Sequence, residues 1–87
     1  MLEHPAGPIP LGVMTGIIAR GVHVEAAEPS RIEDATLARD TASAIIRYAD
    51  DTFWFRRERV ASQVDVPLFD GDEIELGEVR LSFRGPR

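Results

Sequence analysis

Pro67-Leu-Phe-Asp-Gly-Asp-Glu-Ile-Glu-Leu-Gly-Glu-Val-Arg-Leu-Ser-Phe83 is the stretch on which the fold turns. Ile74 and Leu76 alternate with Glu73 and Glu75, Gly77-Glu78 interrupts, and Val79, Leu81 and Phe83 then alternate with Arg80, Ser82 and Arg84. A period of two, twice over, marks two strands with one apolar and one charged face. The pair is predicted to close a core on one side and meet water on the other. Asp70-Gly71 supplies the turn before the first strand, because glycine adopts positive φ without steric cost.

Upstream, Val64 to Leu68, Phe53 to Arg56 and Ile45 to Tyr48 are further strand candidates, the last two joined by Ala49-Asp-Asp-Thr52. Within Phe53-Trp-Phe55 one face must point inward and the other outward. Val13 to Glu25 reads as one or two short strands broken at Gly21, with His23 on an outer face. Met1 to Gly12 holds Pro5, Pro8 and Pro10 with two glycines and is set apart as a tail or extended lead-in, leaving residues 13–87 as one domain. One segment competes with this all-β pattern. Ser30-Arg-Ile-Glu33 has the form of a helix capping box, and Leu37, Ala38, Ala42, Ile45 and Ala49 recur at helical spacing. Thr36, Thr41, Ser43 and Ile45-Ile46 suit strand and loop instead. The expected fold class is therefore a small all-β sandwich, with an α+β fold carrying one helix over residues 31–49 as the alternative.

Composition narrows the function. With 44% hydrophobic and 29% charged residues the chain is expected to be globular and soluble. No stretch approaches the ~20 apolar residues of a membrane span, and no basic segment precedes an apolar one at the N-terminus; a cytoplasmic protein without membrane insertion is expected. Cysteine, lysine and asparagine are absent, which removes disulfides, thiolate nucleophiles and cysteine metal sites. A net charge of −5 argues against nucleic acid as a partner, since phosphate backbones select basic surfaces. The charge is uneven: Asp65 to Glu78 is acidic, whereas Arg56-Arg57-Glu58-Arg59 is locally basic. Charged strand exteriors commonly serve solvation and edge protection.

Catalysis finds no footing in the pattern. His4 and His23 have no companion at catalytic or metal spacing, Asp50-Asp51 and Asp70-x-Asp72 fit turns, and neither a phosphate-binding Gly-Lys loop nor a nucleophile elbow occurs. The alternating oxygen ligands of a calcium loop are missing too. No enzyme, cofactor or metal is expected.

The closing hairpin, read as Leu68…Gly71-Asp72-x-Ile74-x-Leu76-Gly77…Leu81-x-Phe83, resembles the last two strands of forkhead-associated (FHA) domains. Asp34-Ala-Thr-Leu37, Ala44-Ile-Ile-Arg-Tyr48, Asp50-Asp51 and Phe53-Trp-Phe55 are similar to that family's middle strands, so the resemblance runs from about Gly16 to Phe83. It implies a β-sandwich whose loops at one end hold a phosphothreonine peptide through arginine, serine and a turn asparagine, a mode resting on charge-assisted hydrogen bonds. Ser30-Arg31 matches the family's Gly-Arg pair, which makes Arg31 the candidate phosphate ligand. The family's Ser-Arg-x-His-Ala stretch corresponds to Arg39-Asp-Thr-Ala-Ser43, with Ser43 at the histidine position and Asp40 at the serine position. The turn asparagine has no counterpart. Arg31, Arg39 and Ser43, with the Arg56, Arg57, Arg59, Ser62 and Gln63 rim, remain candidates for contact with a peptide or protein partner. Surface pairing of these arginines with Glu33, Asp34, Asp40 and Glu58 is the competing assignment. The resemblance thus implies a protein-interaction scaffold of bacterial signalling or secretion, with phosphothreonine recognition weakened or lost. A small structural subunit of a phage or secretion particle, of the head-tail connector type, is the alternative, because such subunits end in a similar hairpin.

Overall fold

The computed structural model describes residues 1–5, 7–33, 41–58 and 63–85. The chain runs β1 (Leu2–Glu3), β2 (Met14–Arg20), β3 (His23–Ala27), a one-turn helix α1 (Pro29–Glu33), β4 (Thr41–Ala49), β5 (Thr52–Glu58), β6 (Val66–Leu68), β7 (Glu73–Leu76) and β8 (Val79–Phe83). Two antiparallel sheets result, one of order β1-β8-β7 and one of order β3-β2-β4-β5-β6. Between them Leu2, Ile17, Ala44, Ile46, Phe55, Leu68 and the hairpin's apolar row Ile74, Leu76, Val79, Leu81 and Phe83 form one buried core. The all-β expectation holds, and the hairpin faces inward with the row its alternation assigned.

Short turns set the registers. Gly21 and Gly77 each take positive φ (58° and 62°) at the first central position of a two-residue turn, the geometry that follows strand twist. Asp50 and Asp51 both take positive φ (54° and 59°) between β4 and β5, a conformation that short polar side chains tolerate. These turns place Ile17, Ala19, Ala44, Ile46 and Phe55 on the inner face of the larger sheet. Gly16, Ile18, Arg20, Ser43, Ile45, Trp54 and Arg56 fall on its outer face. Phe55 therefore points inward and Trp54 outward, where its Nε1–H donates to the Ala49 carbonyl at 3.1 Å.

Two readings need adjustment. The N-terminal segment is no free tail: Leu2 is completely buried and pairs with Phe83, and Ile9 folds back to bridge Leu2. The capping box at Ser30 yields only α1, and Thr41–Ala49 is a strand rather than the end of a helix over 31–49. Residues 34–40, in the middle of that alternative helix, lie outside the described residues. α1 is held because Ile32 joins Ile18 and Ile45 in a second, small cluster on the outer face. Gly16 makes room for it: a Cβ there would lie 2.7 Å from the Ala27 carbonyl oxygen and 2.8 Å from Ile32.

Candidate anion-binding recess

The β2–β3 hairpin sets Arg20 directly opposite His23 and Ile18 opposite Glu25 on the outer face. α1 then carries Arg31 over the same corner. Arg20, His23, Arg31, Glu25, Val24 and Ile18 together line an open recess of about 440 Å³. Its bottom is apolar where Ile18 is buried, and its rim is cationic with one carboxylate. The Nε–H of Arg20 donates to the Thr41 hydroxyl at 3.3 Å, which fixes the side chain while leaving its terminal amino groups unbonded among the described residues.

Arginine pairing separates this corner from the rest of the surface. Arg47 pairs with Asp65, Arg56 with Glu58, Arg80 with Glu73 and Glu75, and Arg84 with Glu3. Arg57 donates to the Glu75 carbonyl at 2.7 Å and stacks its guanidinium 5.0 Å above the Phe55 ring. Among the described residues Arg20 and Arg31 alone have neither a carboxylate nor a backbone carbonyl on the guanidinium. Free guanidinium groups present planar forks that match phosphate oxygens, and an imidazole beside them adds a donor and, once protonated, a charge.

The sequence-derived candidates separate accordingly. Arg31 reaches the recess. Ser43 does not reach this recess: it is 2% exposed, its hydroxyl has no hydrogen-bond partner among the described residues, and it lines a separate hollow with Arg57 and Glu58. Arg56 and Gln63 both engage Glu58, the second through an Nε2–H···Oε2 bond of 3.0 Å, and Arg57 ties β5 to β7. Arg39, Arg59 and Ser62 lie outside the described residues. Sequence reasoning overlooked Arg20 and left His23 without a companion. The signal that joins them is Gly21, since a two-residue turn there makes its flanking residues cross-strand neighbours.

Among the described residues, no group of three or more His, Asp or Glu side chains is placed to hold a metal ion, and no helix is long and apolar enough to cross a membrane. Comparison of the chain with protein-family models, with curated proteins and with solved structures finds no match.

Proposed function

We propose that this chain is a non-catalytic protein-interaction module, similar in kind to FHA domains, that takes a phosphothreonine-bearing segment of a partner protein at the Arg20–His23–Arg31 recess. One observation carries this reading: Arg31, which matches the family's phosphate-binding arginine, lines one cavity with Arg20, the other arginine left unpaired among the described residues. The contact is weak by construction. Arg20, His23 and Arg31 are exposed, and exposed ion pairs contribute only ~0–1 kcal/mol each. The phosphate contact alone then sums to at most ~3 kcal/mol, a dissociation constant on the order of 10 mM or weaker, steeply dependent on salt. A scaffold role in a signalling or secretion assembly fits a module of this kind.

The test is titration of a degenerate phosphothreonine peptide library. Arg31→Ala and Arg20→Ala are expected to weaken binding, and Glu25→Gln to strengthen it by removing the one carboxylate among the described lining residues. Phosphopeptide binding indifferent to all three substitutions would place the site elsewhere and end this assignment.

A further inference from the structure

The two sheets have four edge strands, β3 and β6 in the larger and β1 and β7 in the smaller. An exposed edge offers unpaired N–H and C=O groups to any extended chain, and folded proteins usually block it. Three of the four are blocked here. β6 is three residues long with Pro67 at its centre, where no N–H is available. β1 spends the backbone groups of Leu2 on Ile9, through bonds of 3.0 and 2.7 Å. β7 has the carbonyl of Glu75 capped by Arg57.

β3 carries no such device. It is five residues long, contains no proline, and among the described residues its backbone pairs only with β2. The turn decides which groups are left over. Arg20 and His23 flank the two-residue turn and so exchange both hydrogen bonds, and the alternation of antiparallel pairing then commits His23, Glu25 and Ala27 to β2. The N–H and C=O groups of Val24 and Ala26 point away from the sheet. β7 obeys the same rule, since its turn leaves the Glu75 carbonyl outward, where Arg57 finds it.

We infer that the phosphorylated segment binds as an added strand on β3, its backbone pairing with Val24 and Ala26 and its phosphate reaching the recess of Arg20, His23 and Arg31. The inference rests on the function proposed above and supplies what the exposed phosphate contact lacks, since main-chain pairing gives affinity and alternate side chains give selectivity. Charge favours this occupant. His23 and Glu25 of β3 themselves line the recess, so outer-face residues of an added strand lie beside it, and a phosphate there meets two guanidinium groups that have no carboxylate partner among the described residues. A second copy of the chain is a poorer fit: antiparallel β3–β3 pairing through residues 24 and 26 sets Glu25 against Glu25, and like charges directly opposite are destabilising.

The probe is the tightest-binding phosphothreonine peptide from a degenerate library. With unmodified protein, N-methylation of successive peptide amides is expected to weaken binding tenfold or more at alternate positions and little between them, and hydrogen exchange of the Val24 and Ala26 amides is expected to slow on binding. Ala26→Pro removes an outward N–H at an exposed position and should cost a similar factor with an unchanged melting temperature. Arg31-dependent binding that is insensitive to N-methylation, with unchanged exchange at Val24 and Ala26, overturns the added strand while leaving the recess intact. Absence of any phosphopeptide binding overturns both. Dimerisation that Ala26→Pro abolishes and peptide does not compete with assigns the edge to a second copy and likewise overturns the proposal.

Discussion

On the smaller sheet Arg80 lies 2.7 Å from Glu75 and 3.8 Å from Glu73, and Arg84 lies 3.4 Å from Glu3; at the β3 edge of the larger sheet Arg20 and Arg31 meet no described carboxylate. Register accounts for Arg80 and Arg20. Arg80 stands directly across from Glu75 with Glu73 two residues along the same strand, whereas Arg20 stands between His23 and Thr41. Identical side chains are thus committed to neighbours in one place and left available in another by what the adjacent strand sets opposite them. Local pairing, rather than the net charge of −5, is what sets the proposed anion contact at this corner.

The heaviest blow to that contrast falls on the closed sheet. Phe83 is buried, makes an edge contact with Phe53 at 5.5 Å between ring centroids, and belongs to the strand that joins β1 to β7. Phe83→Ala is expected to cost ~3–5 kcal/mol, a large part of the stability of a domain this size, and to leave the protein largely unfolded in thermal melts and near-ultraviolet dichroism. Ser82→Ala is the control; an unchanged melting temperature for Phe83→Ala would make the smaller sheet an accessory.

Gly16→Ala probes the link between core and recess. Its Cβ would collide with backbone at Ala27 and with Ile32, so α1 must lift, at a cost of ~1–3 kcal/mol for overpacking. Because α1 carries Arg31, phosphopeptide affinity should fall as well; destabilisation with affinity preserved would show that Arg31 is positioned independently of Ile32.

Arg80→Ala and Arg31→Ala sharpen the comparison directly. Arg80 gives up two exposed pairs, which should leave denaturant melts almost unchanged, and no binding. Arg31 should give up binding and no measurable stability. The reverse pattern would cancel the distinction between the two surfaces.

The smallest effect lies at the opposite end of the sandwich. Tyr48, the only tyrosine, donates its hydroxyl to Asp51 at 3.3 Å, and its ionisation is pushed above the ordinary 10.0 by desolvation, by the Asp51 charge and by that hydrogen bond. The neutral phenol is the favoured form, so its contribution to stability is present below pH 10 and is lost as pH rises through the elevated folded-state value. Ultraviolet titration should show a midpoint above 10, and Asp51→Ala should bring it down; no movement would leave desolvation as the whole cause.

Much of this fold was legible in the sequence because alternation and glycine report directly on strands and turns. Ile74 to Phe83 gave the hairpin and its inward row, and Gly21 gave the break between β2 and β3. β1 was not legible, since two residues in a proline-rich stretch carry no period and Leu2 is buried through pairing with Phe83 at the far end of the chain and with Ile9. β4 starts at Thr41 rather than Ile45 because alanine, serine and threonine there are buried under neighbouring structure that their weak apolar signal does not announce. At the site, Arg31 was found through a motif. Arg20 and His23 were not singled out because each looks ordinary alone and is set opposite the other only by the register that Gly21 imposes.

The pairing of the first strand with the last has a consequence in time. During synthesis β1 has no partner until β8 has emerged, so Leu2 stays in water and the smaller sheet cannot assemble from the N-terminal end. Contacts so distant in sequence form slowly, and a strand waiting for its mate is open to wrong associations. A chain ending at Gly77 is expected to show no cooperative melt even though every strand of the larger sheet is present, and a cooperative melt from it would show that the five-stranded sheet folds alone. The binding proposed for the β3 edge would then become possible only when the last residues of the core arrive, and an incomplete chain should not engage a partner there.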